Sequence, residues 1–196
     1  MSVMTATVAG LDLPDDRPLT VADLDLTPED GRKYELDDGV LVVSPAPVIR
    51  HQLVVQRLSE LLGAACQPGF LLLPGPGVEI SPIQYRIPDL VVVRANAISL
   101  DDANVTRPPV LAIEVASPST AAYDRGRKRH VYAEFGIASY WVVTPSIDEP
   151  RLAAFELRRG AYRQVAEVSA DEAFRTQRPF PVEVVPSALV SGPWQQ

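Results

Sequence analysis

The chain has 196 residues, a single cysteine (Cys66), and only two lysines (Lys33 and Lys128) among its 18 basic residues. One cysteine closes no internal disulfide. That fits a reducing compartment and assigns Cys66, at the end of an amphipathic run, to packing. No apolar run approaches the roughly 20 residues of a membrane span, so no membrane partner is expected. The first residues show no basic segment followed by an apolar core; a secretory signal is therefore not expected, and a cytoplasmic protein is. The chain also lacks repeats, low-complexity tracts and an interior linker. A net charge of −7 argues against a protein that coats nucleic acid generically, because non-specific binding scales with the phosphates neutralised. It leaves room for a protein whose basic residues cluster, as Arg125, Arg127, Lys128 and Arg129 do; a solvated helix face gives the same pattern.

Nearly half the residues are hydrophobic, enough for one medium domain with a real core. Residues 1–18 read as a loose N-terminal arm and 19–196 as a single domain. Leu19 to Leu26 reads as a short helix with Thr20 as its cap. Tyr34–Leu36 and Val40–Val43 flank Asp37-Asp38-Gly39, a strong hairpin signal. Val48 to Cys66 places Leu53, Val54, Leu58, Leu61 and Leu62 on one helical face. Strands are expected over 69–73, 77–80, 90–93, 110–116 and 140–143. An antiparallel pair follows over 152–156 and 162–168, then a last strand within 180–185 and a terminal turn over 186–190. Between the Glu114 and Tyr140 strands, Ser119 or Thr120 caps a second helix that Gly136 closes. The fold class is α/β: a mixed central β-sheet flanked by helices, with an N-terminal hairpin and C-terminal antiparallel strands.

Three charges sit where charge is costly. Val110 to Ala116 is apolar except for Glu114 and reads as a strand covered on both faces, where a carboxylate needs a partner or a metal. Asp89 opens the next apolar strand, directly after Pro88. Lys128 is the sharpest case. At about 100° per residue, Ala121, Asp124, Val131, Tyr132 and Phe135 fall within about 60° of it on the helix surface. A lysine on that apolar stripe wants a carboxylate, and the two strand carboxylates are available. Two carboxylates on adjacent strands with one lysine make a metal-assisted phosphodiesterase site. Mg²⁺ or Mn²⁺ on Asp89 and Glu114, helped by the Val115 backbone carbonyl, would polarise a phosphate and acidify a water. Lys128 would orient that water or stabilise the developing charge.

The same residues carry a resemblance. Pro88-Asp89 followed by Glu114-Val115-Ala116 resembles the PD-(D/E)XK, restriction-endonuclease-like superfamily. More narrowly, I-E-V-A-S-P-S-T, Y-D-R-G-R-K, F-G-I and Y-W-V-V are similar to the Uma-two family of bacterial endonucleases, from about Tyr34 to about Val143. The superfamily pattern puts its lysine two residues after the glutamate, where this chain has Ala116. The resemblance thus implies that the lysine's role has moved to Lys128. It also marks Glu35 as a further acidic site residue, against a hairpin-edge glutamate, and places His51 near the site, against a structural histidine. It implies a restriction-endonuclease-like fold and divalent-metal-dependent cleavage of phosphodiester bonds, most naturally in DNA. Arg125, Arg127 and Arg129 are then candidate phosphate contacts, and two-strand cleavage favours a homodimer. Two other readings stay open: an inactive nucleic-acid- or protein-binding module that keeps the fold, and a metal-dependent nucleotide hydrolase.

Overall fold

The computed structural model describes residues 11–116 and 123–193, with the side chains of 123–125 left out. Ser119 and Thr120, the expected helix caps, lie outside the described residues, as does the side chain of Arg125. Near the start, a 3-10 turn over Val21–Leu26 follows Thr20, whose N–H donates to the Asp23 carboxylate at 2.7 Å. The guanidinium of Arg17 grips both oxygens of the same carboxylate at 2.7 Å, so the described end of the arm is tied to the domain.

The hairpin of β1 (Lys33–Asp37) and β2 (Val40–Ser44) turns at Asp38 and Gly39, with φ of 51° and 78°. That left-handed pair is what the Asp-Gly signal calls for. At Gly39 a Cβ would also come within 2.5 Å of the Pro18 side chain. Next come α1 (Ile49–Ala65), β3 (Phe70–Pro74), β4 (Val78–Ser81), β5 (Gln84–Arg86), β6 (Leu90–Arg94) and β7 (Leu111–Val115). The chain continues with α2 (Tyr123–Phe135), β8 (Ser139–Thr144), β9 (Arg151–Arg158) and β10 (Ala161–Ser169). It ends with β11 (Phe174–Thr176), β12 (Val182–Val184) and α3 (Pro186–Val190). Gly136, at φ 94°, closes α2 with its N–H on the Tyr132 and Ala133 carbonyls, the C-terminal glycine the sequence calls for.

The central sheet is mixed, in the order β10-β9-β8-β7-β6-β3. Its parallel pair is β7–β8, joined by α2 as a crossover, which is the connection parallel strands require. Alternation sorts the two faces. Leu90, Val92, Leu111, Ile113, Val115 and Trp141 pack with Val54, Leu58 and Leu62 of α1. Val91, Val93, Ala112, Tyr140 and Val142 pack with Tyr132 of α2. Glu114 therefore projects on the α2 side, and the register that pairs Leu90 with Ile113 sets Asp89 next to it across β6 and β7.

The hairpin is not a free appendage. It belongs to a second sheet, β2-β1-β5-β4, with Leu36 of β1 opposite Tyr85 of β5. Ser81–Ile87, which has no apolar run, is not among the strands expected from sequence. The structure gives the reason: β5 turns polar side chains inward. Gln84 and Arg86 are both buried, and both bind Asp37 Oδ1, at 3.0 and 2.6 Å. The short β11, Phe-Arg-Thr, escapes the pattern for similar want of apolar residues.

Candidate active site

The chain passes from the second sheet to the central one through Ile87 and Pro88, and the charged residues collect at that crossing. Glu35 comes from β1 of the second sheet. It is buried, and its Oε1 accepts the Ile87 N–H at 2.8 Å. Asp89 enters at the start of β6 and Glu114 comes from β7. Lys128 reaches down from α2 and donates to Glu35 Oε1 and Glu114 Oε1, both at 3.2 Å. One turn further along α2, the Tyr132 hydroxyl donates to the same Glu114 oxygen at 2.7 Å. The lysine on the apolar stripe thus bridges one carboxylate from each sheet.

Asp89 has its own set of donors. Oδ2 accepts the Val115 N–H at 2.7 Å and meets His51 Nε2 at 3.1 Å, while Oδ1 accepts the Lys33 ammonium at 2.5 Å. Lys33 Nζ also donates to the Ile87 carbonyl at 3.1 Å. Burial alone would push this carboxyl up, but His51 and Lys33 more than offset it and bring it down to about 2. An ionised carboxylate has no proton to give, so His51 Nε2 carries the hydrogen. Its Nδ1 is buried with no partner among the described residues.

Glu114 behaves in the opposite way. Burial raises its pKa, Lys128 opposes the rise, and the nearby Asp89 and Glu35 charges reinforce it. Two carboxyls side by side are thereby driven apart, one held ionised and one made easier to protonate, a division typical of acid–base sites. For Lys128, burial works against the charge, but Glu114 and Glu35 prevail and its pKa is raised. Burial beside Glu114 also holds Tyr132 in its phenol form. Across the cluster, three carboxylates face two ammoniums and one imidazole.

A family model described as "Uma2: Putative restriction endonuclease" matches residues 21–189. The chain belongs to the Uma2 family. The matched span contains Glu35, His51, Asp89, Glu114 and Lys128. The Uma2 chain is also similar to the crystal structure of a "putative nuclease belonging to DUF820" from Anabaena variabilis. The TM-score is 0.70 and the identity 14%, with 88% of this chain and 98% of that one covered. At that identity the likeness speaks for the fold, which is nuclease-like. No curated protein matches the chain.

Families of the restriction-endonuclease-like kind generally use divalent metals. Among the described residues, no group of three or more His, Cys, Asp or Glu side chains is spaced to hold one. A hard cation does not require three, since Mg²⁺ is commonly held by one or two carboxylates and keeps several waters. Asp89 and Glu114 are hard oxygen donors on adjacent strands. Val115, whose N–H points at Asp89, turns its carbonyl to the same edge of β7. No hydrogen bond from a described residue reaches Oε2 of Glu114 or of Glu35. The donor set therefore fits a hard divalent cation, provided that Lys33 leaves Asp89 Oδ1.

The structure brings together Asp89, Glu114, Lys128, Glu35, His51 and Val115 of the sequence-predicted residues. The arginines scatter. Arg127 Nε lies 3.0 and 3.1 Å from the two Asp37 oxygens, and its Nη2 binds Asp38. Arg129 lies over the Phe155 ring at 5.4 Å from its centroid. Lys33 is the residue that sequence reasoning passes over. A signal was present: Lys33 and Glu35 are two apart on one strand, so they share a face.

Proposed function

We propose that this Uma2 chain is a divalent-metal-dependent endonuclease that hydrolyses phosphodiester bonds, with DNA as its principal substrate. The observation that carries the reading is the convergence of Glu35 and Glu114, from two sheets, on the Lys128 ammonium, with the Asp89 charge beside Glu114. Asp89 and Glu114, with the Val115 carbonyl, would hold Mg²⁺ or Mn²⁺. When bound, the cation supplies Lewis acidity toward a phosphate oxygen and lowers the pKa of a water.

The remaining tasks fall to the chain itself. Lys128 offers a fixed positive charge to the attacking water or to the charge that builds on the phosphate oxygens, inside a site where it needs no reorganisation. Glu35 and Tyr132 fix the geometry: Glu35 holds Lys128 from the second sheet, and Tyr132 holds the Glu114 oxygen that Lys128 shares. His51 and the Val115 N–H pin Asp89 Oδ2 and leave Oδ1 as its adjustable oxygen. Arg129, whose charge meets no carboxylate among the described residues, is favoured over Arg127 as a phosphate contact.

One observation favours a second reading. Both Asp89 oxygens already have donors from the chain itself, as expected for a binding module whose charges are a buried ion network. A cleavage screen separates the readings. Wild-type protein is incubated with Mg²⁺ or Mn²⁺ and supercoiled plasmid, single-stranded DNA, RNA or mononucleotides. Nicking or linearisation of plasmid that EDTA abolishes is the expected result. Turnover of mononucleotides alone would make the chain a nucleotide hydrolase, and no turnover of any substrate would favour the binding module.

A further inference from the structure

Lys33 has a place in the cluster that neither the family pattern nor the mechanism above uses. Its ammonium holds Asp89 Oδ1 at 2.5 Å, the oxygen a cation shared with Glu114 would need, and takes its second contact from the Ile87 carbonyl. The two donors on Asp89 Oδ2 differ in kind. The Val115 N–H is main chain within the sheet, and His51 is a mostly buried side chain at the start of α1. Lys33 is the most exposed partner of the three. Its side chain is 27% exposed, and a four-carbon stem lets the charge move without moving β1. Lys128, by contrast, is 16% exposed and is gripped by two carboxylates.

We propose that Lys33 is the resident counter-cation of Asp89, occupying the carboxylate in the metal-free protein and giving it up when a divalent cation enters. The proposal rests on the metal-binding reading above. An ammonium at hydrogen-bond distance and a divalent ion at roughly 2.1 Å compete for Oδ1, because like charges that close repel, and the more strongly in a partly buried site where the effective dielectric is low. Lys33 therefore does two things. It keeps a buried carboxylate compensated while the site is empty, and it sets the metal affinity by competition. If the ammonium leaves Asp89 about a tenth of the time, the apparent affinity is about tenfold weaker than the intrinsic one.

The test is Mn²⁺ binding, followed by the electron paramagnetic resonance signal of free Mn²⁺ and by calorimetry. It compares wild type, Lys33→Met, Lys33→Gln, Lys33→Arg and Asp89→Asn. Lys33→Met and Lys33→Gln should bind Mn²⁺ about tenfold more tightly than wild type, while Lys33→Arg stays near the wild-type value. Metal-free Lys33→Met should melt below wild type, and saturating Mn²⁺ should close that gap. Lys33→Gln keeps a donor at the site and serves if the methionine variant folds poorly. A lysine with a merely structural role would give equal or weaker binding on removal. That outcome, with Asp89→Asn still abolishing binding, would overturn the proposal while leaving the metal site intact. Absence of Mn²⁺ binding in every protein, Lys33→Met included, would overturn the metal reading and this proposal together.

Discussion

Replacing Lys128 by methionine keeps the length of the side chain and removes the one charge that Glu35 and Glu114 share. Each pair is 3.2 Å apart. At an effective dielectric of about 20, a contact of that length is worth about 5 kcal/mol before desolvation is counted. The variant does not lose all of this, because a stranded carboxylate can take up a proton instead. From an unperturbed pKa of about 4.3, protonation at pH 7 costs about 3.5 kcal/mol per group. That sets the ceiling for each, and removing one partner from a buried pair typically costs about 3–5 kcal/mol. The pH dependence follows from the same protonation cost. With their folded pKa raised, the stranded carboxylates are a handicap that falls away as pH drops through that folded value toward the unfolded one. At pH 5 the ceiling shrinks to about 1 kcal/mol per group. The assay is urea unfolding of wild type and Lys128→Met at both pH values, with Glu35→Gln and Lys128→Met/Glu35→Gln completing the cycle. The expected outcome is a loss of about 3–5 kcal/mol at pH 7, much smaller at pH 5 and partly recovered in the double variant. A loss under about 1 kcal/mol at pH 7, or one equal at both pH values, would refute Lys128 as the shared counter-ion.

Tyr132→Phe strips Glu114 of a 2.7 Å donor in a buried setting and should cost about 1–3 kcal/mol; an unchanged denaturation midpoint would contradict the contact. Asp89, held down to about 2, stabilises the fold above its unfolded pKa of about 3.9 and loses that contribution as pH falls through its folded value. The acid limb between about pH 4 and 2 should therefore carry about 2 kcal/mol that is absent from Asp89→Asn, and equal acid limbs would argue against it. Arg129→Ala should lower the salt slope of DNA binding by about 1. Arg127→Ala, whose guanidinium is taken up by Asp37 and Asp38, should leave the slope nearly unchanged; the reverse order would exchange their roles.

The positions of Asp89, Glu114 and Lys128 were legible because a charge inside an apolar strand or on an apolar helical stripe is costly and must be matched. Helical periodicity then fixed which way Lys128 pointed, whereas the facing of Asp89 and Glu114, in strands apolar on both sides, came from the sheet register. Glu35 could not be separated from a hairpin-edge glutamate in the same way. The Asp-Gly turn specifies the hairpin but not the strand that covers its other edge, and that strand, β5, hides behind inward-facing Gln84 and Arg86. Lys33 was missed for a related reason. Its strand face was shared with Glu35, but which face met the site depended on the second sheet. The basic cluster misled in part, since sequence proximity on α2 says nothing of the hairpin aspartates that capture Arg127. His51 became informative only when α1 was seen to bring it to Asp89.

The central claim is that Glu114 and Asp89 carry metal-dependent phosphodiester cleavage. It is tested most directly by plasmid cleavage under a Mg²⁺ titration with wild type, Glu114→Gln and Asp89→Asn, each confirmed folded by circular dichroism. The account predicts cleavage by wild type that rises with Mg²⁺ and is lost in both variants at every concentration. Cleavage at the wild-type rate by either variant, or wild-type cleavage that persists in EDTA, would contradict it.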